Sequence, residues 1–422
     1  SAMDSPIVDF EGSSFDVYSN QFGVTDYWVS SNSIDTELNF TNCNGTESFS
    51  EYSSGECILG STCPLYDGNF RNTDELDWAL SRIHPGNNEH ISIKINEDLD
   101  IQRPLQMVEG IFLESLDSRN NITLSGNGKK VIVMKNLNNI EIKNINIENG
   151  NDVLGGAISI ESSSPKFTNV NFFRNSAIAV AGILSKGGGI FVENSHLEMN
   201  DSYFEENISD IGGAIYSKNS ILNLSNIMIH SNIATFSDQS GSGIYISGGI
   251  LNETHYLNNI SIRGNESPDA PLYIYDAHVE ISQSEISGNS SYGSTIFIDR
   301  GRLELLNSTV TGNKSTNEAT ILLRNSSDLY VFNSIIYGNS EPLFDLYGSN
   351  YVLIGSSNLN LQIDDMLEIG LAIANNDIIN VSPGFIIPID YESAPSIDGD
   401  FSLDVDSACI DQGIFEYEEL FN

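Results

Sequence analysis

Seven positions of this chain recur at the centre of a short apolar motif. Five carry aromatic rings, Phe191, Tyr216, Tyr245, Tyr273 and Phe297, and Leu322 and Asp345 follow. A ring offers a flat apolar face and, in tyrosine, a polar edge, which suits stacking on sugar rings or anchoring a partner protein. Glu193, Lys218, Asp299 and Arg324 stand two residues beyond their motif centres and would supply polar flanks. The chemistry on offer is recognition, so these five rings are the candidate ligand-binding residues. The competing reading is that aromatics simply stack well on a parallel sheet and are shielded by a loop or by the N-terminal segment.

Bond-breaking chemistry has thinner support. A polysaccharide lyase needs a cation to neutralise a uronate and a basic residue to take its proton, commonly with calcium held by carboxylates. A glycoside hydrolase needs close carboxylates on neighbouring strands. The six histidines (His84, His90, His196, His230, His255 and His278) all lie outside a Gly-His-Gly setting. Asn72-Thr73-Asp74 mimics a polygalacturonase triplet but sits at the start of a helix. Arg300, Arg302 and Arg324 form the best basic group, and Asp299 opposite Arg324 reads as an inter-rung salt bridge. Acidic tracts such as Glu97-Asp98-Leu99-Asp100, Asp364-Asp365 and Asp404-Val405-Asp406 lack the spacing of a calcium loop and read as surface solvation. No catalytic residue and no metal ligand is assigned. No cofactor is required, with calcium as the one optional ion.

What must position the rings is a repeat. Gly155-Gly156-Ala157-Ile158 recurs at Gly187, Gly212 and Gly241, then degrades through Ala270, Ser294 and Ala319. Asparagines trail it at 175, 207, 232, 265, 289, 313 and 339, and a second polar column runs Asn169, Asp201, Asn226, Asn259, Gln283, Asn307, Asn333. A period near 25 residues, with strand-like alternation (Ile296-Phe297-Ile298, Leu303-Glu304-Leu305), is the signature of a solenoid. The predicted fold is all-β: a right-handed, single-stranded parallel β-helix in which equivalent strands pair one rung apart, roughly 4.8 Å. Asparagine tolerates the left-handed bend a corner needs, and stacked amides hydrogen-bond along the column. Ile190 and Val192, or Ile296 and Ile298, then point inward. The ring between them faces out, making an exposed stripe of roughly 25 Å.

Four regions follow. Residues 4–70 are Ser-, Asn- and Gly-rich and hold Cys43, Cys57 and Cys63, where a disulfide in an oxidising compartment is expected; Cys409 is free to pair with the third cysteine or stay buried. Residues 71–135 carry a capping helix over 72–84, with Leu76, Ala79, Leu80 and Ile83 on one face, and the first rungs. The repeats occupy 136–361 and a C-terminal cap 362–422. The net charge is −40, from 58 acidic against 18 basic residues, which repels nucleic acid and anionic membrane and disfavours polyanionic substrates without calcium. No apolar run of the length needed to span a bilayer is present.

The paired Gly-Gly-Ala-Ile and Phe/Ile-x-x-Asn signals (Phe172 to Asn175, Phe204 to Asn207, Ile229 to Asn232) resemble the repeat of the chlamydial polymorphic outer membrane proteins and related bacterial surface β-helix proteins of the pectin-lyase-like fold. Pro383-Gly384-Phe385, Asp400-Phe401-Ser402-Leu403 and Ala408-Cys409-Ile410-Asp411 are similar to a segment that closes β-helices in secreted bacterial proteins. The resemblance implies an exported, surface-exposed protein involved in adhesion. With the aromatic stripe, the expectation is an extracellular, non-catalytic module that binds a glycan or a host or partner surface protein. A polysaccharide lyase acting on an acidic glycan with calcium is the alternative.

Overall fold

The strand alternation is realised as a parallel β-solenoid of about ten turns. The computed structural model describes residues 91–95, 97–249, 253–361, 372–374, 379–410 and 412–413, with short stretches before residue 91. One sheet has ten strands, one per turn, from Leu105–Gln106 to Phe344–Tyr347. A second of eighteen strands wraps the adjoining sides, and a third holds seven two-residue strands from Asn151–Asp152 to Lys314–Ser315. Stacking is in phase: Ile190 pairs with Ile215, Ile215 with Ile244, and the column continues through Leu272, Ile296, Ile321 and Phe344. No short rung can bury its apolar side chains alone, so these columns form one continuous core.

Both polar columns mark corners, by different means. Asn169, Asp201, Asn226, Asn259, Gln283, Asn307 and Asn333 all take positive φ between 49° and 57°, bending the large sheet. In the other column the left-handed residue is the one before the asparagine (Arg174, Glu206, Ser231, then Gly264, Gly288, Gly312 and Gly338). The asparagine itself is buried, at most 4 % exposed. From Asn175 to Asn313, each backbone N–H and carboxamide nitrogen donates to the carboxamide oxygen one rung on, at 2.9–3.1 Å.

Of the capping helix expected over 72–84, Leu76 and Leu80 are described, and both are buried in the main core. The side chains of Cys43, Cys57 and Cys63 lie outside the described residues. Cys409 is a free thiol whose sulfur takes a contact from Asn358 Nδ2 at 2.9 Å. The C-terminal strands Phe385–Ile387 and Asp400–Leu403 form an antiparallel pair lying along a flank of the solenoid. Ser396 N donates to Gly288 O at 2.8 Å, Lys314 pairs with Glu392 at 2.6 Å, and Arg263 bonds the carbonyls of Asp398 and Gly399 while stacking 5.3 Å from Phe401.

Candidate functional site

The five rings stack as the register requires. Phe191, Tyr216, Tyr245, Tyr273 and Phe297 follow one another at centroid separations of 5.4, 5.0, 5.1 and 4.5 Å, their planes nearly parallel. They point away from the main core, as their position between inward-facing residues demands. The expected exposure, however, is overturned: every ring is between 2 and 6 % exposed, and Leu322 is fully buried. Ile211 and Ala270 join the rings in a second apolar cluster, and Leu154, Leu184, Phe236 and Tyr275 pack on it. The turns linking rungs fold down over the stripe and are pinned there by Asp210, which accepts from Ser185 N at 2.9 Å, and Asp269, which accepts from Gln239 N at 2.9 Å. Burial pushes the hydroxyl of Tyr245 up to about 12, and that of Tyr273 further, and raises Asp269 to about 6. Alternation fixes which side of a sheet a residue occupies. It carries no information about a loop that returns over that side.

The basic group is also dispersed. Asp299 and Arg324 do lie in register one rung apart. The expected ion pair between them is not formed. Arg324 turns to Glu318 at 2.8 Å and lies over Phe297 and Tyr347, because a guanidinium gains more on a ring face beside a carboxylate than across a solvated gap. Asp299 accepts from Asn325 at 2.9 Å instead. Glu193 and Lys218 pair at 2.9 Å. Arg300 stacks on Tyr275 at 4.4 Å.

Arg302 leads to a different place. On the outer face of the large sheet, the strands Thr254–Arg263, His278–Ser282, Arg302–Leu306 and Asp328–Phe332 alternate outward and inward residues in a common register. One outward column reads Tyr256, Glu280, Glu304, Tyr330; the one beside it reads Thr254, His278, Arg302, Asp328, Tyr351. Between them point Val279, Leu303 and Leu329, all fully buried. Two tyrosines thus bracket two carboxylates. Tyr256 is 50 % exposed and Tyr351 45 %, so the ends of this face reach solvent where the stripe does not, while Glu304 at its centre is nearly buried.

The polar groups are tightly tied. Glu304 Oε1 receives His278 Nε2 at 2.9 Å and the Arg302 guanidinium at 2.7 Å. An ionised carboxylate only accepts, so His278 carries its hydrogen on Nε2, and its Nδ1 meets the Thr254 hydroxyl at 3.0 Å. Arg302 lies 4.2 Å over the Tyr330 ring. Burial opposes the charge on Glu304, but the His278 hydrogen bond and Arg302 outweigh it and hold its pKa below the ordinary value. Burial and the neighbouring Glu304 push Glu280 the other way. Following only the first strand of each rung leaves this column unseen. The alternation Leu303-Glu304-Leu305 is the signal that finds it.

Among the described residues no group of three or more histidine, cysteine or acidic side chains is placed to hold a metal ion. The fold and this face define an all-β parallel β-solenoid with a polar-aromatic outer side. No protein-family model matches the chain, and no curated protein does. The solved structures similar to it are β-helix proteins. They include the surface adhesin PfbA of Streptococcus pneumoniae (13 % identity, TM-score 0.29, covering 64 % of this chain and 79 % of that one). The tailspike protein of E. coli bacteriophage HK620 (11 %, 0.30, 68 % and 55 %) and the Azotobacter vinelandii mannuronan C-5 epimerase AlgE6 A-module (10 %, 0.32, 75 % and 97 %) are others. The chlamydial family is not confirmed, and at these values the likenesses carry no argument about function. Among the described residues no helix is long and apolar enough to cross a membrane.

Proposed function

We propose that the chain is an extracellular, cell-surface β-helix module that binds a glycan on the outer face of its large sheet, with the coil right-handed and the segment 72–84 closing its N-terminal end. One observation carries this reading: the outward column in which Tyr256, half in solvent, and the half-buried Tyr330 bracket the half-buried Glu280 and the nearly buried Glu304. Tyrosine faces supply apolar area for a sugar ring, and the two carboxylates, His278 and Arg302 supply acceptors and donors for hydroxyls. The buried stripe of Phe191, Tyr216, Tyr245, Tyr273 and Phe297 takes part in binding only if the turns above it lift away, so in this reading it holds those turns in place. The face is acidic on a chain of net charge −40, which favours a neutral glycan over a uronate or sulfated one. Calcium has no part in it, and chelation leaves binding unchanged.

The test is retention of labelled neutral oligosaccharides (β-glucan, mannan and chitin fragments) and of pectate and heparin, with calcium and with chelator. Tyr256→Ala and Tyr330→Ala are expected to weaken retention of a neutral glycan at least tenfold while the thermal transition stays in place. Equal retention by the variants overturns the assignment of this face. Unsaturated uronate products from pectate would establish the lyase alternative in its stead.

A further inference from the structure

The face that binds also holds the parts of a glycosidic cleavage site. We infer that Glu280 and Glu304 cleave the bound glycan, Glu280 as acid and Glu304 as nucleophile, with His278 and Arg302 positioning Glu304. The inference rests on the glycan-binding reading of this face.

Geometry is the first support. Glu280 and Glu304 are direct partners on adjacent parallel strands, so their backbones stand one rung apart, roughly 4.8 Å. The register sets the two side chains beside each other on one face of the sheet, and a close pair of carboxyls on neighbouring strands is what the double-displacement type of glycoside hydrolysis uses, one of them attacking the anomeric carbon. The second support is asymmetry: Glu304 is held by two donors on one oxygen, while neither partner of that kind reaches Glu280 among the contacts of this face. The carboxyl groups are accordingly driven apart in acidity, Glu304 toward its charged form and Glu280 toward its neutral form, and such a divergence separates acid from base. The third is that tyrosines lie on both sides of the pair, so that a chain seated on Tyr256 and Tyr330 passes over both carboxyls.

In the first step a Glu304 oxygen bonds to the anomeric carbon as the glycosidic C–O bond breaks, and the Glu280 proton goes to the departing oxygen. Glu280, now ionised, then takes a proton from water as the water oxygen bonds to the anomeric carbon and the ester bond to Glu304 breaks. One water is consumed, both carboxyls return to their starting forms, and the released sugar keeps its anomeric configuration.

The experiment incubates the full chain with the neutral oligosaccharide panel across pH 4–8 and follows new reducing ends by mass spectrometry and anomeric configuration by NMR. Glu280→Gln and Glu304→Gln are expected to lower turnover roughly 10²–10⁴-fold when it is read per glycan retained, at temperatures below each variant's own thermal transition. The pH profile should be bell-shaped. His278→Gln should raise its acidic limb, because Glu304 loses a donor to its charged form; a structural histidine would not move that limb. Retention without new reducing ends overturns the cleavage and leaves the binding reading intact, as does turnover that survives Glu304→Gln. An inverted product overturns the nucleophile role. Absence of both retention and cleavage removes both readings.

Discussion

Burial decides what each tyrosine is for. Tyr273 is 2 % exposed in the middle of its stack, whereas Tyr256 stands half in solvent on a different sheet of the solenoid. Tyr273→Ala should therefore cost about 3–5 kcal/mol of stability, as for a large core side chain, and leave glycan retention unchanged at temperatures below its lowered transition. Denaturant unfolding of the two alanine variants side by side checks this, and a stability loss confined to Tyr256→Ala would invert the assignment. Buried histidines add a pH dependence. Burial holds His255 and His230 near pKa about 4, while an unfolded histidine titrates near 6.5. The unfolded chain thus binds protons first, so the stability these groups confer is present above about 6.5 and is lost as pH falls toward about 4. Asp269, raised to about 6, acts in the other direction and costs stability as pH rises through that value. His255 occupies the inward position held by Leu222 one rung before and Val279 one rung after, so His255→Leu should flatten the acid side of the melting profile. An unchanged acid slope would show that His255 is not its source.

At the scale of the strand and corner, most of the architecture was legible and the accessible surface was not. Both polar columns, the inward Ile and Leu columns and the stacking of the rings follow from periods of two and about 25, because in-phase stacking is the only way such short strands bury their apolar side chains. The loops carry no period, so neither the cover over Tyr245 nor the turning of Arg324 to Glu318 could be read from spacing. The asparagine column is where sequence and energetics meet most directly. Asn289→Ala would leave the Asn265 backbone N–H and carboxamide without their acceptor and Ile262 O without a donor, roughly 1–3 kcal/mol for each buried group orphaned. In a solenoid the lesion should stay with its neighbours, so hydrogen exchange should rise at rungs 265, 289 and 313 and little elsewhere. The corner beside it has its own constraint. Gly288, at φ 57°, lies where an added Cβ would come 2.2 Å from Ser396 O, while the equivalent Ser231 carries a side chain. Gly288→Ala should therefore loosen the C-terminal strands from the flank and speed proteolysis between 383 and 410; an unchanged cleavage rate would show that the flank yields instead.

The whole molecule sets direction and charge. Equivalent groups repeat along the solenoid axis at roughly 4.8 Å, so Tyr256 and Tyr330, three rungs apart, are separated by roughly 14 Å along that axis. A glycan lying along the axis meets both rings only once it is long enough to span that distance; one lying across it meets a single ring at any length. Affinity for neutral oligosaccharides should accordingly climb with chain length until both tyrosines are engaged, then level off, and Tyr330→Ala should abolish the length dependence. Charge gives an independent axis of the same test. On a chain of net −40, a sulfated oligosaccharide of equal length should bind more weakly at low salt, and raising ionic strength should narrow the gap by screening, while neutral glycan binding stays level. Calorimetry over a length series at two salt concentrations reads both. An affinity independent of length would place the glycan across the rungs rather than along them. Stronger binding of the sulfated series at low salt would mean that Arg302 and its neighbours, rather than the tyrosines, dominate this face.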